Sequence, residues 1–136
     1  MIRLSFALLI ASILAGCAGL ASQSCLSGQQ AMLSAELLFG RKIGDHIAVS
    51  EAAFHRFVDE ELTPRFPDGL TILDASGQYR DRERGRLIRE PSKLVQIAIS
   101  DEPANRDKLA AIAEAYKHRF HQQSVGVILK PVCASF

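Results

Sequence analysis

His118 and His121 stand three residues apart near the end of a helical stretch, so both imidazoles share one face. Such a pair supplies half of a metal site. No third ligand lies nearby in sequence, and histidine is also favoured at a helix C-terminus by the helix dipole. His55 and Asp59 are four apart on an earlier helix. A carboxylate so placed can orient an imidazole for acid–base work, but the spacing is equally that of a solvated pair. Arg80, Arg82, Arg84, Arg86 and Arg89 crowd a short segment together with Asp81, Glu83 and Glu90. Arginine forks suit lipid phosphates, while the interleaved acids dilute that field and fit a solvated loop. The segment Arg89-Glu90-Pro91-Ser92-Lys93 sets polar groups inside an otherwise apolar run, beside a proline. This is either a binding rim with Arg89, Glu90, Lys93 and Tyr79 as polar groups, or a structural kink with a satisfied ion pair. There is no G-x-S-x-G and no phosphate-cradling glycine run. No catalytic residue is therefore assigned, and neither a metal nor a cofactor is expected.

The cysteines carry a clearer message. Leu14-Ala15-Gly16-Cys17 closes an uncharged apolar stretch that begins after Arg3, the only charged side chain before Glu36. An aliphatic residue, two small residues and a cysteine are what lipoprotein signal peptidases read. Residues 1–16 are thus expected to be a signal peptide, with Cys17 acylated and anchored to the bilayer. Two other readings of the segment stand. About 18 uncharged residues are just enough to span a membrane uncleaved, or an ordinary signal peptidase releases a soluble protein. The expected location is the bacterial cell envelope, on the periplasmic side of the outer membrane in a Gram-negative host. Without residues 1–16 the basic count falls from 16 to 15 against 15 acidic residues. A neutral chain lacks the basic face that nucleic acid requires, so no nucleic-acid partner is expected.

Cys25 and Cys133 remain, and an oxidising compartment permits the single disulfide they can form. Residues 17–33, small and polar after the lipidated cysteine, are read as a tether, leaving 34–136 as one α+β domain. Ser34–Arg41 suggests a first strand and 42–46 a loop. Ser50 is a good N-cap, and Phe54, Phe57, Val58 and Leu62 form a helical stripe that Pro64 ends. Leu70–Leu73 suggests a second strand, 78–86 an exposed hairpin tip, and Leu87–Ser100 a third strand with Pro91 at an edge or bulge. Leu109, Ile112, Ala113, Tyr116 and Phe120 trace a second helix, and Ser124–Lys130 a last strand. The order β-α-β-β-α-β predicts a ferredoxin-like fold: four antiparallel strands in the order 4-1-3-2, with both helices on one face. Its first strand starts beside the end of its fourth, which suits a Cys25–Cys133 bridge.

Strand alternation then assigns faces. Leu37, Phe39, Val95, Ile97, Ile99, Val125, Val127 and Leu129 are expected to point at the helices. Glu36, Leu38, Gly40, Leu94, Gln96, Ala98, Ile128 and Lys130 point away. A half-apolar open face is seldom left in water. Glu36, Leu38, Gln96 and Lys130 are therefore the candidate lining of an interaction or homodimer surface.

Three stretches resemble a known family: Glu36-Leu37-Leu38-Phe39-Gly40-Arg41, the run from Phe57 through Pro64-Arg65-Phe66-Pro67-Asp68-Gly69 to Thr71, and Arg89-Glu90-Pro91-Ser92-Lys93. Asp74–Arg80, with an aromatic at Tyr79, and the closing Pro131-Val132-Cys133 extend the likeness. The chain thus resembles, over roughly residues 34–136, the uncharacterised bacterial family called domain of unknown function 3574. The resemblance brings no activity and implies a self-contained domain behind the lipidation motif.

Overall fold

A computed structural model describes residues 24–81 and 85–136. The signal segment, Cys17, Arg82, Glu83 and Arg84 lie outside the described residues. The elements are β1 (Gln30–Gly40), β2 (Lys42–Ile43), β3 (His46–Ile47), α1 (Glu51–Phe57) with a π-helical turn (Val58–Leu62), β4 (Thr71–Arg80), β5 (Leu87–Ile99), α2 (Pro103–Phe120) and β6 (Gly126–Ala134). The main sheet is antiparallel in the order β4-β5-β1-β6, the predicted ferredoxin-like arrangement.

Alternation along β1 and β5 places Leu33, Ala35, Leu37, Phe39, Val95, Ile97 and Ile99 in the core. They meet Phe54, Phe57, Val58 and Leu62 from the first helical segment and Leu109, Ile112, Ala113 and Tyr116 from α2. Each fully buried large apolar side chain contributes about 1.5–3 kcal/mol relative to exposure. The rings of Phe39, Phe54, Phe57, Tyr116 and Phe120 pack mainly edge-to-face, with centroids from 4.6 to 6.3 Å apart. Ser50 caps α1, its hydroxyl accepting from the Ala53 N–H at 3.1 Å. Pro103 opens α2, and His121 ends it in the left-handed conformation.

The structure departs from the sequence reading in five places. β1 begins at Gln30, inside the segment read as tether, because the Cys25–Cys133 disulfide and the pairing of Gln30 with Ala134 hold it against β6. Residues 42–46, read as a loop, fall within a two-stranded hairpin over 42–47. β4 continues through Asp74–Arg80, since β5 pairs with its polar half as readily as with its apolar half. Val127 is on the helix side but 41% exposed, because β6 is an edge strand. Pro91 lies in an interior strand without a bulge. β1 pairing stops at Ser92, so Pro91 has a strand neighbour only on the β4 side. No helix among the described residues is long and apolar enough to cross a membrane.

Candidate functional site

The sheet's open face is organised in rows. Leu73, Leu94, Leu38 and Gly126 are paired neighbours across all four strands. The Leu38 side chain lies over Gly126, so close that an added Cβ would sit 3.1 Å from its Cδ1. The next row is Thr71, Gln96, Glu36 and Ile128, and the one after it Ala98, Ser34 and Lys130. Leu73, Leu38 and Ile128 are 45, 40 and 39% exposed, an apolar diagonal with no layer above it. Two polar pairs lie near the centre of the face. Lys130 Nζ reaches both Glu36 carboxylate oxygens at 2.7 and 2.9 Å, and Gln96 Nε2 donates to Ser34 Oγ at 3.1 Å. Of the residues expected on this surface, Glu36, Leu38, Gln96 and Lys130 are thus all on one face, with Glu36, Leu38 and Gln96 in adjoining rows.

Alternation divides the Arg89–Lys93 segment. Glu90 and Ser92 share the open face with Gly77, Gly40 and Tyr79, whereas Arg89 and Lys93 lie on the other face. The Glu90 carboxylate sits against Gly40, where an added Cβ would meet its oxygens at 3.2 Å. It has no hydrogen-bond or ion-pair partner among the described residues. Arg89 Nε donates to Gln78 Oε1 at 2.8 Å, Arg86 pairs with Asp45 at 2.9 Å, and Arg80 donates to the Gly85 carbonyl at 3.1 Å. The described arginines of the basic run are therefore engaged within the domain.

Lys93 lies beneath the sheet, its side chain only 5% exposed. Its ammonium joins Glu51 at 2.6 Å and Asp74 at 2.5 Å and stands 5.8 Å from the centre of the Phe54 ring. Arg41, also buried, donates through Nε to the Val49 carbonyl at 2.8 Å and through its guanidinium to Glu51. The hydrogen bond from Lys93 holds the Glu51 and Asp74 carboxyls below their usual range, and those bonds raise the Lys93 ammonium in turn. A lysine held charged in this way is neither a nucleophile nor a general base; it fastens the start of α1 to β4 and β5. Tyr116 donates its hydroxyl to the Gly40 carbonyl at 2.8 Å, and burial pushes its ionisation upward. The sequence did carry a signal for the two cations. Arg41 shares strand parity with Leu37 and Phe39, and Lys93 with Val95 and Ile97, so both belong to the core side.

His55 faces Glu51 at 4.0 Å on α1. His118 and His121 are exposed. Among the described residues no three metal-ligating side chains converge.

The chain belongs to the family described as protein of unknown function DUF3574, which it matches over residues 34–136. No curated protein matches it in sequence. Among solved structures it is similar to a phage SAM lyase in complex with S-methyl-5′-thioadenosine. The TM-score is 0.61 at 17% identity, covering 85% of this chain and 95% of that one. It is also similar to CutA from Synechococcus elongatus PCC7942, with a TM-score of 0.52 at 13% identity, covering 79% of this chain and 83% of that one. At these identities the likeness is one of fold.

Proposed function

We propose that this chain is a lipid-anchored cell-envelope protein whose domain associates with a second copy of itself through the open sheet face. The observation that carries this reading is the uncovered apolar diagonal of Leu73, Leu38 and Ile128, set among polar groups that are already paired. Covering an unpaired polar group costs free energy; covering one that keeps its hydrogen bond costs far less. The Glu36–Lys130 pair neutralises itself, so the centre of the face has no charge demanding an oppositely charged partner. It therefore suits a copy of itself better than a strongly charged ligand. Acylation at Cys17 would confine copies to one surface and raise their effective concentration.

The test is the native mass of the chain from residue 18 onward, produced in an oxidising compartment. A dimer without added mass is expected, and Leu38→Arg or Gln96→Arg should yield a folded monomer. A folded variant of unchanged oligomeric mass would refute the reading.

Glu90 supports a second reading, a small-ligand site. A carboxylate without a partner among the described residues, set between Gly40 and Gly77 with Tyr79 on the same face, suits a cationic group. The similar phage lyase acts on a sulfonium compound, as its name states. S-adenosylmethionine is accordingly the first probe. Stabilisation of the wild-type chain that Glu90→Gln abolishes would favour this reading, and no shift in either protein would remove it.

A further inference from the structure

We infer that the corner of the sheet bearing the Cys25–Cys133 disulfide rests on the bilayer surface, with Leu26 and Phe136 as its contacts. The inference rests on the proposed acylation of Cys17 and adds an orientation to it. The disulfide joins the segment before β1 to the end of β6. It fixes the chain at Cys25, eight residues after Cys17. Eight residues reach at most about 28 Å, against about 45 Å if the chain were first fixed at Gln30. The bridge therefore shortens the leash and selects which end of the domain faces the lipid.

The two segments that the bridge joins have the composition of a membrane contact. No charged side chain occurs from Ser24 through Ala35 or from Pro131 through Phe136, in a chain that is 23% charged. Leu26 adjoins the bridge and is 75% exposed, and Phe136, three residues past Cys133, is fully exposed. A turn holds Leu26 in place: Gln29 N–H donates to the Leu26 carbonyl at 3.0 Å, and the Leu26 N–H donates to Gln29 Oε1 at 3.2 Å. Single exposed apolar residues are ordinary. Two flanking one bridge, on segments without charged side chains and at the end of a short leash, have a surface to enter. Because the anchor has already brought the domain to the membrane, two side chains suffice where a free protein would need many.

The chain contains no tryptophan, so Phe136→Trp supplies a fluorescent reporter without background. Tyr79→Trp supplies the control, since Tyr79 lies beyond Gly40 at the opposite end of the sheet. Each full-length acylated variant would be reconstituted into phosphatidylethanolamine–phosphatidylglycerol vesicles containing brominated acyl chains. The Phe136→Trp reporter should shift to the blue and lose more than half its emission, while the Tyr79→Trp control keeps its own. Adding Leu26→Glu should restore most of the reporter's emission without changing thermal stability. Replacing both bridge cysteines by serine should also restore the emission, read at a temperature where that less stable variant is still folded. An unquenched Phe136→Trp reporter in protein whose mass confirms acylation would overturn the inference and leave the anchor standing. Quenching at both positions would overturn it in favour of a domain lying flat. A mass without acyl chains would overturn the anchor itself, and this inference with it.

Discussion

Removal of the disulfide is the perturbation whose size follows most directly from the structure. Cys25 and Cys133 are 108 residues apart, so the bridge closes nearly the whole described domain. In the chain-entropy account, a loop of that length restricts the unfolded chain by about 4.8 kcal/mol, and native bridges in small secreted domains are worth about 2–5 kcal/mol. A domain of this size unfolds with an entropy of about 0.24 kcal/mol/K. The double variant Cys25→Ser with Cys133→Ser should therefore lose about 8–20 °C of Tm. Circular dichroism on the chain from residue 18 onward measures it, with the oxidised wild type as reference. The double variant leaves no unpaired bridge thiol to confuse the comparison. A second readout separates two physical roles. If the bridge acts on the unfolded chain, hydrogen-exchange protection should fall throughout the sheet by a similar factor. If it merely orders the turn around Leu26, protection should fall only near the start of β1 and the end of β6. A fully cooperative transition displaced by less than about 5 °C would refute the loop-closure reasoning.

Tyr116→Phe should cost about 1 kcal/mol by leaving the Gly40 carbonyl without its donor, and Tyr116→Ala about 3–5 kcal/mol by emptying the aromatic cluster; urea denaturation distinguishes the two. Lys93→Met should move Tm by no more than about 4 °C, because the carboxylates it leaves behind are solvated. Asp74 is 84% exposed. Replacing Glu51 and Asp74 together by alanine should lower Tm at least twice as far, because the buried ammonium is then stranded. Equal losses in the two variants would show that the cluster is a solvated pair. The acid limb of stability has a defined sign. Glu51 and Asp74 titrate below their usual range, so their contribution is present above the unfolded carboxylate pKa and lost as pH falls through the lowered values. Thermal melts from pH 6 to pH 2 should show a shallower decline in Glu51→Gln with Asp74→Asn than in the wild type.

What the sequence made legible, and what it did not, follows from where each residue's partners lie. The helical stripe of Leu109, Ile112, Ala113 and Tyr116 and the alternation of Leu37, Phe39, Val95, Ile97 and Ile99 are local patterns. They sufficed for the order of the main elements and for the two sheet faces, from which the ferredoxin-like strand order followed. β4 beyond Leu73 escaped because Asp74–Arg80 contains no large aliphatic residue; its strand character comes from hydrogen bonds to β5, not from an apolar face. The 42–47 hairpin escaped because two-residue strands are too short to show a period. The buried cations sit between these cases. Parity alone places Arg41 and Lys93 on the core side. Their partners depend on the pairing of Asp74 with Lys93 and on where α1 begins relative to the sheet, neither of which is local.

That separation also orders the functional question. The ion cluster contains the domain's buried charges, yet every one is matched by a partner that fastens one element to another. On the open face Lys130 is matched with Glu36 and Gln96 with Ser34, while apolar area and, among the described residues, the Glu90 carboxylate stay without a partner. Among the described residues the apolar diagonal and the Glu90 carboxylate against Gly40 are features that packing and pairing within the domain do not use. The residues that fold the domain are therefore those that find partners within it. Among the described residues Leu73, Leu38 and Ile128 stay exposed and the Glu90 carboxylate has no hydrogen-bond or ion-pair partner, so the proposed function is tested first on the open face. A Glu90→Gln variant that changes neither stability, self-association nor S-adenosylmethionine binding would break the last link of that argument, while Leu38→Arg tests the rest independently.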